Sequence, residues 1–359
     1  MRSLSMNELY ISTGENRSKI IIKPGVMHQL STYIKEVFPT VKVLIVTDRN
    51  VDGYYGESME GLLEQANIPV VKLVLPPGEK TKSFEQLLHV YDFLGENRFT
   101  RSDAVMALGG GVIGDLAGYA AATWQRGMNL IQVPTTLLAQ IDSSIGGKTA
   151  IDTKWGKNMV GAFKQPGLVC IDPLSLKTLP DYEMAAGMAE MIKYACIWDR
   201  SMFELLQNSN DIIPCLPDLI VRSCNIKKAV VEEDSLESGK RMILNFGHTV
   251  AHVLEGMDDY EVSHGFAVAM GMVYITRQSE RQGLTKPGTA DQIRQLCIKY
   301  GLPVDFPSVD GKKAGAFVTR DKKARSGKMN LVLLHEIGSC FVHNIDVDRA
   351  ADFLGWRTD

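Results

Sequence analysis

Two histidine-bearing segments in the second half of the chain have the residue types and spacing of a metal site. His248 and His252 are four residues apart, so that a helix would place both imidazoles on one face, and the preceding Asn-Phe-Gly is a typical helix start. His264 follows Ser263, which can cap a second helix. Three of the chain's seven histidines therefore lie near two predicted helix starts. From spacing alone, His248 and His252 are the expected chelating pair.

A carboxylate and an ammonium group lie upstream of these histidines in a mainly apolar segment. Glu190 and Lys193 are three residues apart, and their neighbours are small or apolar. Burying such charges costs free energy unless they are paired. A mutual salt bridge explains the two residues structurally, whereas a metal ligand beside a substrate-facing ammonium explains them functionally. Two histidines and one glutamate would leave open coordination positions, which is typical of a catalytic metal site.

A glycine-rich turn in the first half has the features of a phosphate-binding loop. Gly109, Gly111 and Gly114 follow a predicted strand at 104–108, precede a helical stretch at 116–122 and satisfy G-x-G-x-x-G. Glycines let backbone amides approach a pyrophosphate, and a helix start favours negative charge. The turn does not follow the first strand, and no acidic residue ends a strand about 20 residues later, so a purely structural turn is an equal alternative. Asp48, at the end of an earlier strand, would bind a ribose or cap a helix.

The elements that must position these groups differ between the two halves of the chain. The first half alternates short β-branched runs with stretches of helical spacing such as 84–94, which predicts a mainly parallel, Rossmann-like sheet with flanking helices. Ligand sites are then expected at the carboxyl ends of the strands. The predicted strands are 19–22, 42–47, 70–75, 104–108, 130–133 and 168–171.

After about residue 173 the pattern becomes helical. The predicted helices are 181–206, 217–234, 247–257, 264–283 and 288–300, with one late strand at 329–334. Prolines at 173 and 180 interrupt the pattern between the two halves. We therefore predict an α/β domain over 1–176, which contains the glycine turn, and a mostly α-helical domain over 177–359, which contains the histidine segments.

Composition excludes several classes of protein. The 359 residues are 45% apolar and 23% charged, with a net charge of −3, so that nothing indicates a basic nucleic-acid-binding face. The six cysteines form no C-x-x-C pair, which argues against a zinc ribbon or a disulfide framework. The N-terminus lacks an apolar signal segment, and the longest apolar stretch, 266–276, is far shorter than the roughly 20 residues of a membrane helix. We expect a cytoplasmic protein with no nucleic-acid or membrane partner.

The joint order of several motifs resembles the 3-dehydroquinate synthase family over nearly the whole chain. Each motif alone is weak, whereas their order along the chain is highly specific. The matching segments are PGEKTK at 77–82, GGGVIGD at 109–115, PTT at 134–136, DSSIGGKT at 142–149, GKN at 156–158, AEMIKY at 189–194, LNFGHT at 244–249, SHG at 263–265 and DKK at 321–323.

The resemblance implies a ligand set and a cofactor. Glu190, His248 and His264 are implied to hold one divalent metal ion, zinc or cobalt, so that His264 replaces His252 as a ligand. NAD is implied to contact residues of the first half: Asp48, Glu79, Lys82, Gly110, Gly111, Val112, Asp115, Thr135, Thr136, Asp142, Lys148, Lys157, Thr178 and Leu179.

It also implies a phosphorylated sugar acid as substrate. Arg126 is implied to reach the site of the partner subunit in a homodimer. His252 would either transfer a proton, since imidazole titrates near neutrality, or donate an uncharged hydrogen bond to phosphate. The groups implied to act on the substrate are Lys148, Asn158, Lys193 and His252, and those implied to bind it are Lys227, Arg241, Asn245 and one of Lys322 and Lys323.

The reaction implied is conversion of 3-deoxy-D-arabino-heptulosonate 7-phosphate into 3-dehydroquinate and phosphate, the ring-forming step of the shikimate pathway. NAD would oxidise a ring hydroxyl transiently, phosphate would leave by elimination, the hydride would return, and the opened sugar would close by an aldol reaction. Such an enzyme is a carbon–oxygen lyase that regenerates its cofactor in each turnover.

Three other functions fit part of the pattern. Another sugar-phosphate cyclase would share the glycine turn and metal ligands, but the segments 144–152 and 241–245 resemble the dehydroquinate type. A metal-dependent polyol dehydrogenase of the same architecture would need no phosphate-binding lysines. A catalytically inactive NAD-binding sensor would have no reason to retain Glu190, His248, His264 and Lys148 together.

Overall fold

The computed structural model describes residues 7–14, 16–235, 239–256, 262–320 and 327–356. The chain divides into two compact units, Met1–Pro180 with Pro214–Ser235 and Asp181–Ile213 with Leu236–Asp359. The first change of unit therefore follows shortly after residue 176, where the sequence predicts the domain boundary. A later segment returns to the first unit, although the sequence analysis assigned it to the second domain.

Seven strands of the first unit form one sheet in the order β1-β2-β9-β6-β5-β3-β4, and β7 and β8 form a separate hairpin. β1 pairs with β2 antiparallel and the other neighbours are parallel, which confirms the predicted mainly parallel sheet. The strands are β1 (Asn7–Thr13), β2 (Asn16–Ile22), β3 (Val43–Asp48), β4 (Val70–Leu75), β5 (Ala104–Gly109), β6 (Asn129–Pro134), β7 (Lys148–Thr153), β8 (Gly156–Phe163) and β9 (Leu168–Ile171).

Helices flank this sheet and build the second unit. α1–α5 and α8 belong to the first unit, and the remaining helices belong to the second. The helices are α1 (Leu30–Val37), α2 (Arg49–Val51), α3 (Glu57–Gln65), α4 (Phe84–Glu96), α5 (Gly111–Thr123), α6 (Asp181–Ile197), α7 (Arg200–Asn208), α8 (Leu216–Glu233), α9 (His248–Gly256), α10 (His264–Arg281), α11 (Thr289–Lys299), α12 (Gly311–Arg320) and α13 (Val347–Phe353).

Both faces of the sheet are buried at its central parallel strands β3, β5 and β9. Val43 and Ile45 of β3 belong to a core cluster that includes residues of α1 and α3. Leu44 and Val46 belong to a second cluster that includes residues of α4 and α5. The continuous apolar run that identified β3 in the sequence is thus the consequence of a helical layer on each side.

The second unit is mostly helical, as predicted, and contains the hairpin of β10 (Lys328–Glu336) and β11 (Ser339–Asp346). The predicted helix 181–206 is divided: α6 ends at Ile197, and the Asp199 side chain caps α7 by accepting a 3.0 Å hydrogen bond from the Met202 amide. Among the described residues, no helix is both long and apolar enough to cross a membrane.

A glycine allows α10 to begin in direct contact with α6. A Cβ atom at Gly265 would lie 2.1 Å from the carbonyl oxygen of Ala186, which is far inside van der Waals contact. The two backbones can approach this closely only because Gly265 has no side chain. Since His264 precedes this glycine, the close packing determines where its imidazole lies relative to α6.

Candidate functional site

The second unit brings together a carboxylate and two imidazoles that are far apart in sequence. Glu190 lies in the middle of α6, while His248 and His264 are the first residues of α9 and α10. One potential ligand atom from each lies within 4.8 Å of the other two. Oε1 of Glu190 is 3.6 Å from Nε2 of His248 and 3.5 Å from Nε2 of His264. These three residues therefore form a candidate metal centre.

Hydrogen bonds on the opposite side of each ring orient the two imidazoles. Nδ1 of His248 is 3.1 Å from the carbonyl oxygen of Phe246, and Nδ1 of His264 is 3.0 Å from Oε1 of Glu255. Because both partners accept, each Nδ1 donates its proton. Both Nε2 atoms are consequently directed at Glu190, as metal ligands held by outer hydrogen bonds commonly are.

Lys193 contacts the other oxygen of Glu190. Its Nζ forms an ion pair with Oε2, and both side chains are almost completely buried. Burial opposes ionisation of Glu190, but the charge of Lys193 and the nearby imidazoles hold the pKa of its carboxyl well below the usual value. The two interpretations of Glu190 and Lys193 in the sequence are therefore compatible, because the salt bridge occupies one oxygen and leaves the other facing the histidines.

The two histidines differ in charge. Burial, with a smaller effect of Lys193, lowers the pKa of His248 to about 3, so that its imidazole is neutral at pH 7. Burial acts in the same direction on His264, but the nearby carboxylates of Glu190 and Glu255 raise its pKa to about 10. In the metal-free protein, His264 is therefore protonated and places a positive charge between the carboxylates of Glu190 and Glu255. A bound metal ion would replace this proton as the positive charge.

The geometry fits a zinc or cobalt ion. Ligand atoms about 2.0–2.1 Å from a tetrahedral zinc ion are about 3.3 Å apart, and the Glu190–histidine separations of 3.6 and 3.5 Å are close to that value. Oε1 of Glu190 is buried and has no hydrogen-bond partner among the described residues. An ion at this point would satisfy it.

His252 lies beside the centre but is not one of the converging ligands. Its side chain is 58% exposed, and its Nε2 lies 4.0 Å from Oε2 of Glu255. Its ring centroid is 5.8 Å from that of His248. The chelating pair expected from spacing alone is therefore not the pair that converges, because α10 brings His264 to Glu190 from outside the α9 helix.

The glycine turn of the first unit has the geometry of an anion site. α5 begins at Gly111, and no side chain caps it at Gly110. A Cβ at Gly110 would lie 2.9 Å from Cγ2 of Thr136, and a Cβ at Gly111 would lie 3.2 Å from Oγ of Ser143. Val112 continues the first turn of α5. The amides at this helix start, on two glycines that have no side chains of their own, suit a phosphate group.

Three of the predicted ligand-binding residues meet near this turn. Nζ of Lys82 donates a 2.6 Å hydrogen bond to Oδ2 of Asp115 and also contacts Oδ1 of Asn158. The backbone amide of Asn158 donates to Oδ1 of Asp152 at 2.8 Å. Burial lowers the pKa of Lys82, but Asp115 and, more weakly, Glu79 and Asp152 offset it and leave the pKa raised.

Other predicted residues of the first unit have structural partners. Asp48 caps α2, since its Oδ1 accepts from the amides of Asn50 at 2.9 Å and Val51 at 3.1 Å. The helix-capping alternative for Asp48 is thus present, and its role with a ribose stays a prediction. Nζ of Lys227 donates to the carbonyl oxygen of Asp142 at 2.6 Å and contacts its carboxylate.

The remaining predicted residues occupy diverse positions. Arg126 is exposed and has a left-handed backbone with φ of 65°. Lys322 and Lys323 lie outside the described residues. Lys148 begins β7, Thr135 follows β6, and Arg241 and Asn245 belong to a 3-10 segment, Lys240–Asn245. Nζ of Lys157 lies 4.0 Å from Oε1 of Glu79. The hydroxyl of Thr178, which precedes Leu179, is hydrogen-bonded to the hydroxyl of Tyr55 at 2.7 Å.

Two residues in these clusters were not identified from the sequence. Glu255 accepts a hydrogen bond from the His264 ring, and Asp152 accepts one from the backbone amide of Asn158. A signal for Glu255 existed, because it follows His248 by seven residues and His252 by three, which places all three on one face of a helix. The contact of Asp152 depends on the β7–β8 hairpin, which was not predicted.

Solved structures define the class of fold. A 2-deoxy-scyllo-inosose synthase, solved with carbaglucose-6-phosphate, NAD+ and Co2+, matches with a TM-score of 0.86 at 24% identity and covers 97% of this chain and 99% of its own. A 2-epi-5-epi-valiolone synthase from Streptomyces hygroscopicus, solved with NAD+ and Zn2+, matches with a TM-score of 0.86 at 24% identity and covers 96% and 97%. The predicted combination of an α/β domain and a helical domain is confirmed.

Sequence relatives define the family. Family models described as 3-dehydroquinate synthase N-terminal and C-terminal match residues 72–186 and 187–324. A 3-dehydroquinate synthase of Clostridium acetobutylicum is 43% identical over 353 residues, which are 97% of this chain and 99% of that relative. The chain belongs to the 3-dehydroquinate synthase family.

Proposed function

We propose that this protein is a 3-dehydroquinate synthase that converts 3-deoxy-D-arabino-heptulosonate 7-phosphate into 3-dehydroquinate and phosphate. The observation that carries the proposal is the convergence of Glu190, His248 and His264 on one buried point. It occurs in a chain that is 43% identical, over nearly its full length, to a relative of that name. The enzyme is then a carbon–oxygen lyase that depends on NAD and one divalent metal ion.

The residues present suit both cofactors. Glu190, His248 and His264 would hold zinc or cobalt, and the amides at Gly110 and Gly111 would hold the NAD pyrophosphate. When bound, NAD accepts and returns a hydride while the metal ion polarises the oxygen at the carbon being oxidised. Two solved proteins of this fold were crystallised with NAD+ and with Co2+ or Zn2+, which supports the proposal.

The chain's own cations suit a substrate that carries a carboxylate and a phosphate. Arg241 would hold a carboxylate bidentately, whereas Lys148, Lys193 and Lys227 would act as point charges. Lys193 has a second task, because its ammonium also keeps Glu190 ionised in a buried position. Loss of one such contact to substrate should cost about 1.5–3 kcal/mol, or about ten- to a hundredfold in binding.

His252 has the exposure that contact with a substrate requires. Its imidazole is largely exposed, and its Nε2 faces the Glu255 carboxylate at 4.0 Å. It would either move a proton during phosphate elimination or donate a hydrogen bond to the phosphate. A pH profile of kcat for His252→Gln distinguishes these roles: a proton carrier loses a titration step, whereas a hydrogen-bond donor loses rate without a change in profile.

The proposed reaction has a distinctive stoichiometry. Incubation of the NAD- and zinc-loaded protein with 3-deoxy-D-arabino-heptulosonate 7-phosphate should release phosphate, while absorbance at the NADH wavelength does not accumulate. A chelator should abolish the release, and zinc or cobalt should restore it. Steady accumulation of NADH with glycerol-like alcohols would instead support a polyol dehydrogenase. Phosphate release only from a different sugar phosphate would support another cyclase.

The proposal includes a homodimer in which Arg126 acts on the partner subunit's site. Gln125 and Arg126 are consecutive non-glycine residues with φ of 48° and 65°, a strained conformation of the kind that functional loops retain. Mixing inactive Arg126→Ala and His264→Ala subunits tests this. If Arg126 acts in trans, random reassortment should restore about a quarter of the wild-type sites. No recovery in a reassorted mixture would contradict it.

A further inference from the structure

Glu255 is a partly buried carboxylate that touches the candidate metal centre without belonging to its ligands. It lies near the end of α9, the helix that begins with His248, and its side chain is only 10% exposed. Oε1 is 3.0 Å from Nδ1 of His264, and Oε2 is 4.0 Å from Nε2 of His252. One carboxylate therefore faces two imidazoles through different oxygens.

The hydrogen bond to Glu255 determines which nitrogen of His264 is available to a metal ion. A carboxylate accepts the Nδ1 proton, which leaves the lone pair of the neutral imidazole on Nε2, the atom 3.5 Å from Glu190. His264 needs this restraint more than His248 does, because the His264 side chain is 37% exposed and that of His248 is 11% exposed.

The two ligands also differ in the charge of the group behind them. His248 donates to the neutral carbonyl of Phe246, whereas His264 donates to an ionisable carboxyl group. A carboxylate behind an imidazole makes it a stronger donor to a metal ion, and a neutral acceptor does so less. A divalent ion at this centre would also face Glu190 and Lys193, whose opposite charges cancel. The carboxylate of Glu255 therefore contributes a net negative charge near the ion.

We propose that Glu255 is a positioning residue of the metal centre: it fixes the tautomer and orientation of His264 and increases the affinity of the site for a divalent cation. This inference rests on the proposed function, because it assumes that Glu190, His248 and His264 bind metal. Through its second oxygen, Glu255 also links the position of His252 to that of the ligand His264.

Metal affinity tests the inference without recourse to catalysis. The variants are Glu255→Gln, which keeps the shape and a neutral acceptor, and Glu255→Ala, which removes the acceptor. Zinc dissociation constants are measured by competition with a chromophoric chelator on the purified full-length protein. We expect affinity to decrease in the order wild type, Glu255→Gln, Glu255→Ala, with a total loss of about ten- to a hundredfold.

A matched control removes a glutamate charge elsewhere in the same unit. Glu204 lies on α7, is 56% exposed and pairs with Arg200, so Glu204→Gln should leave zinc affinity unchanged. The visible absorption of the cobalt-loaded proteins reports ligand geometry, and Glu255→Ala should alter the band positions or intensities while Glu204→Gln should not. If Glu255→Ala does not fold, Glu255→Gln carries the comparison.

The outcomes separate this inference from the function on which it rests. Equal zinc affinity and equal cobalt spectra in wild type, Glu255→Gln and Glu255→Ala would overturn the positioning role while leaving the metal centre intact. Failure of the wild-type protein itself to bind zinc or cobalt would instead remove the proposed function. The inference would be supported if the folded Glu255 variants have reduced zinc affinity and an altered cobalt spectrum while Glu204→Gln has neither.

Discussion

At the scale of single residues, Glu190 divides its two oxygens between different tasks. Oε2 pairs with Lys193, and Oε1 faces the Nε2 atoms of His248 and His264. The pairing keeps the carboxyl group ionised in a buried position, where an unpaired charge would be costly. An anionic ligand is therefore present before any metal ion arrives.

The histidine assignments lead to a direct prediction about metal content. His264→Ala should lose stoichiometric zinc after dialysis, because it removes one of three converging ligand atoms, whereas His252→Ala should retain zinc. Inductively coupled plasma mass spectrometry measures the bound metal, and circular dichroism checks that both variants remain folded. Equal loss of zinc in the two variants would mean that the ligand set is wrong.

Removal of Lys193 should expose the cost of the buried Glu190 charge. In the metal-free protein, Lys193→Met should decrease the free energy of unfolding by up to about 3–5 kcal/mol, since Glu190 loses the ammonium of a buried pair and keeps only the protonated His264 as a positive neighbour. Zinc should recover part of the loss by pairing with Glu190. Urea denaturation with and without zinc measures both effects.

The double variant Glu190→Gln with Lys193→Met serves as the control for that prediction. It contains no unpaired buried charge, and it should therefore be more stable without metal than Lys193→Met alone. A double variant as unstable as the single one would indicate that lost packing, rather than charge, explains the effect.

The sequence identified residue types in the centre more easily than their partners. The spacing of His248 and His252 placed both on one helical face, but a spacing rule says nothing about which neighbouring helix that face meets. His264 reaches Glu190 because α10 packs on α6, a tertiary contact that the resemblance implied and local pattern did not. Asp48 illustrates the converse, because its position at a strand end suited both a ribose and the helix cap that it forms.

At the scale of elements, the start of α10 depends on a residue with no side chain. Gly265→Ala would place a methyl group 2.1 Å from the carbonyl oxygen of Ala186, so α10 must move away from α6. We expect a decrease in unfolding free energy of about 1–3 kcal/mol. Zinc affinity should also fall, because His264 moves with the helix.

Gly61→Ala is the matched control for this substitution. Gly61 lies in α3, has an ordinary helical backbone, and its added Cβ would meet nothing within 4 Å. It should raise the unfolding free energy by about 0.4–1 kcal/mol and leave zinc affinity unchanged. Thermal denaturation and zinc competition on both variants provide the comparison; unchanged zinc affinity in Gly265→Ala would contradict the argument.

The predictability of each element follows from its surroundings. β3, β5 and β9 are buried on both sides and read as continuous apolar runs, so the sequence identified them. The β7–β8 hairpin lies outside the main sheet, and most residues of β8 are exposed, so it has no such signal. The break between α6 and α7 was missed because the cap at Asp199 is a single-residue feature inside a long helical pattern.

At the scale of the whole molecule, the division into units was the least accessible feature. The sequence predicted a helix over 217–234 but did not indicate what covers its buried face. In the structure this face packs in the first unit, where Cys224 lies 3.5 Å from the carbonyl oxygen of Gln140. Sequence order therefore assigned α8 to the wrong compact unit.

Truncation tests the importance of α8 for the first unit. A fragment of residues 1–180 lacks a helix whose buried side chains include Leu219, Ile220 and Val230. The fragment should expose apolar surface, bind a hydrophobic dye such as ANS and aggregate. Supplying residues 214–235 in trans or through a linker should reduce dye binding. A fragment 1–180 that is soluble, cooperative in unfolding and free of dye binding would contradict this expectation.

The alternation of the chain between units has a consequence for biosynthesis. The polypeptide leaves the first unit at Pro180, returns at Pro214 and leaves again after Ser235. A nascent chain therefore cannot finish its amino-terminal half when that half alone has emerged from the ribosome; it must wait until the two helices that follow, and then α8, have been synthesised. Folding of the first unit therefore depends on synthesis of part of the second. A gene duplication or fusion at a single junction would not transfer either compact unit intact, because each unit consists of two chain segments.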